Sequence, residues 1–310
     1  MEPFSDPLVS VVLPTYNRAR IIGPSIKSIL DQTLRSIELI IIDDGSTDDT
    51  KDVVAAFGDP RIRYVPHDTN KGLATALNTG FREARAKFVA QLGSDDLWIS
   101  PTKLEKEYAL IKDTSSDIGA VYSIMVKETI SGKDVQYPSV QSKKKEGYLY
   151  EEYLVDRLGS FQTMLIKKLA FWDVGGVDQS LLALQDWDFF IRFSKKYSIL
   201  HLPEITTKVI ISPDSLTKNQ KKRLLYRTQI FDKHRAEFKQ RPNIFTKHSY
   251  NIGNSWALYG EMALARRYLK IAFQNNPYNA RYTFAFLLSL FNSPGLYKKI
   301  AKLYRVTYNF

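Results

Sequence analysis

Three pairs of polar residues stand directly after apolar runs: Tyr16 and Asn17, Asp43 and Asp44, Asp95 and Asp96. A further polar group, this time of two acids, Asp186 and Asp188, opens an aromatic stretch that continues through Phe189, Phe190 and Phe193. Adjacent carboxylates suit hard divalent cations such as Mg²⁺ or Mn²⁺, which keep waters and take phosphate oxygens to complete their shell. A single carboxylate at a helix N-terminus can act as a general base. Each pair alone also reads as an ordinary acidic turn. Asp95-Asp96 in particular could simply precede a helix.

The surrounding elements decide between these readings. Residues 39–42 are Leu-Ile-Ile-Ile and run straight into Asp43-Asp44-Gly45-Ser46-Thr47. A short run apolar on both faces reads as a central parallel strand under helices. Gly45 suits a turn, and Ser46 or Thr47 suits a cap for the next helix, with Asp48 and Asp49 in its first turn. Residues 8–13 form the first strand, stopped by Pro14. Ile21, Ile22, Ile26, Ile29 and Leu30 recur at helical spacing. Strands over 37–42, 61–65 and 88–92 alternate with helices over 48–57, 73–85 and 101–112, the last entered through Ser100-Pro101. Further strands are expected over 119–126 and 161–166. The alternation predicts an α/β, doubly wound, mostly parallel sheet with right-handed crossovers. Three strands then carry polar residues to one edge, where open α/β sheets bind ligands.

Missing motifs narrow the chemistry. No G-x-G-x-x-G follows the first strand and no Walker lysine loop is present, which disfavours dinucleotide and P-loop sites. A phosphate-bearing ligand would need another counter-charge, and a cation on Asp95 and Asp96 would supply it. The absence of cysteine excludes disulfides, thiolate catalysis and Cys-ligated metals, and fits a reducing compartment. The four histidines, His67, His201, His234 and His248, have no metal-type spacing and read as ordinary residues. No signal peptide is visible in residues 1–7, and no run of 18 apolar residues suggests a membrane span.

At this point VSVVLPTYNR (9–18), ELIIIDDGSTDDT (38–50), VAQLGSDDLW (89–98) and VGGVDQSLLALQDWDFFIR (174–192) together resemble the inverting nucleotide-sugar glycosyltransferases of family 2, with the GT-A fold. The resemblance covers about two thirds of the chain. It implies that Pro14, Tyr16 and Asn17 border a nucleotide and that Asp44, with Asp43, accepts a hydrogen bond from the imide of uracil or of another base. Asn70 begins a loop over the nucleotide, Asp95 and Asp96 hold Mn²⁺ or Mg²⁺ and touch the ribose, and Ser94 joins Asp95 among the nucleotide-binding residues. Asp186 becomes the base that deprotonates an acceptor hydroxyl, with Asp188 as a structural partner. Two departures stand out: Gly93 replaces the Asp usual there, and Gln185 replaces a Glu. An Arg common in the family's loop is also replaced near residues 75–77.

The resemblance implies a catalytic domain over 1–214, with a nucleotide half at 1–117 and an acceptor half at 118–214. Within it, residues 131–147 look like a connection bearing solvated lysines. Residues 215–310 form a basic helical extension. That segment holds 18 Lys/Arg against 3 Asp/Glu, so it carries more than the whole chain's net charge of +11. It is expected as helices over 213–238, 247–260, 261–274 and 279–291, and the pattern from Gly260 to Asn279 resembles one helix-turn-helix of a tetratricopeptide-type repeat. Residues 296–310 mix apolar and basic side chains, compatible with an anionic membrane surface. The expected partners are a nucleoside diphosphate sugar, a glycan or lipid-linked acceptor and that membrane surface, with no nucleic acid. The expected setting is cytoplasmic, peripheral to the inner membrane face. A nucleotidyltransferase would carry a glycine-rich basic loop where Pro14 to Asn17 stands. A catalytically dead binding module with a partner-docking tail finds support only in Gly93 and Gln185.

Overall fold

The structure, a computed structural model, describes residues 6–128, 134–137, 145–156, 158–210 and 220–303. The chain divides into two compact units, Met1–Ser215 and Leu216–Phe310.

In the first unit β1 (Val9–Thr15) and β2 (Ile37–Asp43) are buried along their whole length. Their β-branched residues face helices on both sides. Val9, Val11, Leu13, Leu39 and Ile41 pack with Ile22, Ile26 and Ile29 of α1 (Ile22–Leu30). On the other side a Cβ on Gly80 of α3 (Leu73–Glu83) would meet Val12 and Ile42, so α3 lies close on that face. With β3 (Ile62–Pro66) and β4 (Phe88–Gln91) these strands form a parallel set in the order β3-β2-β1-β4. The sheet continues through β8 (Met164–Lys167), β6 (Ile118–Glu128), β9 (Ser198–Ile210) and β5 (Leu97–Trp98), with β7 (Asp134–Tyr137) on β6. β8 is antiparallel to both neighbours, whereas β6 and β9 are parallel to each other. The expected α/β sheet is therefore present, but it is mixed rather than mostly parallel: β3-β2-β1-β4 and the β6–β9 pair are parallel, and the remaining pairings are antiparallel.

Local expectations are corrected in three places. Pro14 does not stop β1, because it stays in register with Ile42. Pairing of β1 with β4 runs only from Val9 to Val12, so a residue without an N–H is tolerated beyond that point. The strand expected at 161–166 begins as a 3₁₀ turn, Phe161–Thr163, with Ser160 and Thr163 closing a capping box. Only Met164–Lys167 is strand. α2 runs from Thr50 to Ala55, with Asp49 rather than Ser46 or Thr47 at its N-cap. α4 (Lys103–Ile111), α5 (Tyr150–Val155), α6 (Lys168–Asp173) and α7 (Gln185–Ser194) complete the unit. Of the expected 131–147 connection, residues 131–133 and 138–144 lie outside the described residues.

The second unit is helical: α8 (Gln220–Lys233), α9 (Arg235–Lys239), α10 (Pro242–Tyr259), α11 (Met262–Asn275), α12 (Ala280–Leu290) and α13 (Pro294–Leu303). The single helix expected over 213–238 is broken at His234, and residues 213–219 and 304–310 lie outside the described residues. Pro242 opens α10, Gly260 ends it at φ +90°, and Asn279 caps α12 by accepting from the Arg281 and Tyr282 amides.

Candidate active site

Two sequence-distant loops are stitched together at the ends of β1 and β2. The Asn17 amide donates to Ser46 Oγ (2.8 Å), that of Arg18 to Thr50 Oγ1 (3.0 Å) and that of Ala19 to Asp48 Oδ2 (3.1 Å). In return the Thr47 amide donates to Asn17 Oδ1 (2.8 Å). Asn17 sits at φ 52°, a conformation its short polar side chain tolerates. Of the residues expected to start α2, Ser46 and Asp48 thus bind the neighbouring loop's backbone instead. Tyr16 remains 44% exposed beside them.

Asp43 and Asp44 are buried at the end of β2. Asp43 accepts from the Ser46 amide (2.8 Å) and from the Tyr64 hydroxyl. Burial, and then its bond to Asp43, push the Tyr64 phenol well above its ordinary range. Asp44 gathers the loop that follows β3. Its Oδ1 accepts from the Lys71 amide (3.0 Å) and from His67 Nδ1 (2.7 Å), and its Oδ2 accepts from the Gly72 amide (2.7 Å). His67 Nε2 lies 3.1 Å from Thr79 Oγ1, which ties the arrangement to α3. Asn70 Oδ1 accepts from the Gly72 amide (3.2 Å) within that loop. Gly45 makes the approach possible: it sits at φ +80°, and a Cβ there would lie 2.7 Å from the Thr69 carbonyl carbon. His67 and Tyr64 are the residues that sequence reasoning missed, since a lone His or Tyr carries no spacing signal.

The third polar group follows β4. Register places Thr15 beside Asp43 and Val12 beside Gln91, so the ends of β2, β1 and β4 are neighbours. Ser94 and Asp96 are buried, and Asp95 is partly exposed. Asp96 Oδ2 accepts from Gln162 Nε2 (3.1 Å) and its Oδ1 from the Ile210 amide (3.2 Å). Burial first, and then the charge of Asp95, push Asp96 up to about 7. Gln162 also receives Trp98 Nε1 on its backbone carbonyl (3.0 Å), so the turn before β8 braces the acidic loop. Beneath Trp98, Lys103 and Glu107 form a fully buried ion pair at 2.5 Å.

Gly93 shows how this loop would receive a cation. A Cβ at Gly93 would stand 2.6 Å from Asp96 Oδ2 and 3.3 Å from Asp95 Oδ1, so both carboxylates converge on its face. Two oxygen donors with unused lone pairs fit a Mg²⁺ or Mn²⁺ ion that draws its remaining ligands from phosphate and water. Among the described residues no cluster of three or more His, Asp or Glu could do so alone.

Asp186 comes from a separate element, the first turn of α7, and is partly exposed. Its Oδ1 accepts from the Trp187 amide (2.9 Å). Leu184, just before the helix, is held at φ +59°, an uncommon conformation for such a side chain. Gln185 is buried and donates to the Leu181 carbonyl (3.0 Å). Asp188 is fully buried and pairs with Arg192 (2.8 Å), which also reaches the carbonyls of Val174 and Gly176. The Val174–Gly176 turn is thereby fixed to α7. Asn78 of α3 exchanges two hydrogen bonds with the backbone of Val177, at 2.8 and 2.9 Å.

The family described as Glycosyl transferase family 2 matches residues 10–175. The chain is 40% identical over 131 residues to the Escherichia coli protein named UDP-Glc:alpha-D-GlcNAc-diphosphoundecaprenol beta-1,3-glucosyltransferase WfgD. That match covers 42% of this chain and 51% of WfgD, so the chain spans about half the length of this curated relative. S. aureus TarS 1–349, solved with UDP-GlcNAc, superposes with a TM-score of 0.68 at 18% identity, covering 96% of this chain and 91% of TarS 1–349. The mannosyltransferase PcManGT from Pyrobaculum calidifontis, solved with GDP-Man and Mn²⁺, gives a TM-score of 0.60 at 17% identity, covering 98% and 89%.

Proposed function

The chain belongs to glycosyltransferase family 2, and from that premise we propose that it moves a hexose from a nucleoside diphosphate sugar, a uridine one, to an acceptor hydroxyl with inversion. The observation that carries this reading is the register that sets Thr15 beside Asp43 and Val12 beside Gln91, which lines up three polar loops on one sheet edge. Pro14, Tyr16 and Asn17 border the nucleotide. Asp44, supported by Asp43, accepts from the base imide with the acceptor site on Oδ2 that its loop contacts leave over. The loop containing Asn70 closes over the nucleotide, and Ser94 and Asp95 face the ribose. Asp95 and Asp96 would hold Mn²⁺ or Mg²⁺, whose chemistry is to offset negative charge on the diphosphate.

Asp186 is the base. Its carboxylate takes the acceptor hydroxyl's proton as that oxygen bonds to the anomeric carbon from the face opposite the diphosphate. The bond to the diphosphate oxygen breaks, and its electron pair leaves with the nucleoside diphosphate. The departing charge develops through an oxocarbenium-like state, as in glycoside hydrolysis. WfgD is named for an acceptor on diphosphoundecaprenol. A lipid-linked acceptor in cell-surface polysaccharide synthesis is the matching proposal here. Among the described residues no helix is long and apolar enough to cross a membrane. The basic extension would then bring the protein to the anionic inner face from the cytoplasm.

Asp186→Asn is the direct test. It is expected to lower transfer by roughly 10²–10⁴-fold, the usual weight of a general base. UDP binding with Mn²⁺, read by thermal shift across a set of nucleoside diphosphates, stays intact. Transfer at the wild-type rate by this variant sinks the assignment of the base.

A further inference from the structure

The second unit contains a cavity of about 500 Å³ between α10, α12 and α13, within the ~300–1,000 Å³ range of small-molecule sites. Tyr250, Phe284, Leu288, Tyr297 and Ile300 line it, with Arg281 at its edge. Two polar groups in the wall already have partners: the Tyr297 hydroxyl donates to Asn254 Oδ1 (3.0 Å), and Arg281 lies over the Tyr250 ring at 5.3 Å. The cavity is therefore mostly carbon within, with Asn254 and the two tyrosines as its polar groups and Arg281 as its one cation.

The surface around it continues the pattern. On α12 and at its C-cap, Phe284, Leu287, Leu290 and Phe291 are all exposed, Phe291 to 70%. Their spacing of three and four residues makes one outward apolar stripe. On α13, Leu303 is 74% exposed, beside exposed Lys298, Lys299 and Lys302. No acidic residue follows Glu261 anywhere in the chain. An exposed apolar stripe followed in the chain by a helix whose charged residues are all cations matches an anionic lipid surface.

We propose that this cavity takes one acyl chain of an anionic phospholipid, with the lipid phosphate at Arg281 and the stripe on α12 resting among neighbouring chains. The proposal rests on the membrane-surface reading above and deepens it from adsorption to a defined lipid site; it is independent of the transfer chemistry.

The chain has no cysteine, so Phe284→Cys gives a single attachment point for a fluorophore at the cavity. The full chain labelled there is mixed with phosphatidylglycerol vesicles whose acyl chains carry bromine. Strong quenching is expected at residue 284, and little with a label at Leu264→Cys on α11. Glycerol 3-phosphate, the headgroup chemistry alone, is expected to leave the signal unchanged. Lys298→Glu with Lys302→Glu is expected to weaken vesicle binding roughly tenfold or more, at ~1 kcal/mol per cation near the surface. Ala280→Trp, at the exposed rim of the cavity, is expected to keep vesicle binding but lose most of the quenching; unchanged circular dichroism verifies that each variant folds. Binding to vesicles without quenching at 284, or quenching that Ala280→Trp leaves untouched, overturns the lipid site while the surface reading stands. No vesicle binding at low salt overturns both. Self-association that hides residue 284 in the absence of lipid identifies a second copy as the occupant and also overturns the proposal.

Discussion

At the scale of single residues, His67 sits at the start of the loop that follows β3. It donates to Asp44 at 2.7 Å while Asp44 holds the Lys71 and Gly72 amides, so three donors fix one carboxylate and one carboxylate fixes the loop. A hydrogen bond to a charged group contributes ~1.5–3 kcal/mol. His67→Ala is accordingly expected to weaken donor binding by roughly tenfold or more, raising KM for the donor with kcat nearly unchanged. His67→Gln, which keeps a donor, recovers part of the loss. A fall in kcat at unchanged KM would instead assign His67 to the chemical step. The carboxylates themselves were legible in the sequence, because an apolar run ending in Asp43-Asp44-Gly45 can only leave its acids at a strand's end. His67 was not legible. It lies 23 positions from Asp44, and only the pairing of β2 with β3 brings the two together.

At the scale of elements, the parallel strands were legible from composition, since a strand buried on both faces has little choice but Val, Ile and Leu. The turn at Phe161–Thr163 was hidden for the same reason: its residues look like strand, and tertiary bonds wind it. Gln162 lends its backbone carbonyl to Trp98 and its side chain to Asp96, which an extended segment in register with β6 could not do at once. Another cross-strand bond lies within the parallel set. Glu38 of β2 accepts from Ser10 Oγ of β1 (2.6 Å), from the Arg85 amide ahead of β4 (2.7 Å) and from Arg63 of β3 (2.9 Å). Burial alone would raise its carboxyl, but these donors together hold it below its ordinary 4.5. A depressed acid contributes stability that is present above the ordinary value and is lost as pH falls through the folded one. Glu38→Gln should therefore cost about 1–3 kcal/mol at neutral pH, and the gap to wild type should close as the solution is acidified below pH ~4. Denaturant titrations at stepped pH read this directly. A gap that stays constant into acid would show that charge on Glu38 does not carry the effect.

At the scale of the whole molecule, two cores of different character share one chain. The first is a sheet core with Val9, Ile40 and Leu165 fully buried; the second is a helical core with Ile230, Phe231 and Leu269 fully buried. Charge divides the same way: residues 1–214 hold 26 Lys/Arg against 30 Asp/Glu, whereas 215–310 hold 18 against 3. A bound nucleotide contacts only the first unit in the proposed function, so its binding energy adds to the unfolding of that unit alone. At a hundred times Kd, a ligand that binds only folded protein adds about 2.7 kcal/mol. For a unit of this size that moves Tm by roughly 5–10 °C. Scanning calorimetry of the full chain with UDP and Mn²⁺ should then show one transition moving upward while a second, belonging to 216–310, stays in place. If a single transition moves as a whole, the units unfold as one cooperative body and the helical extension gains stability from the nucleotide it does not touch. If neither moves at saturating nucleotide, the crevice at the ends of β1, β2 and β4 is not where the donor binds.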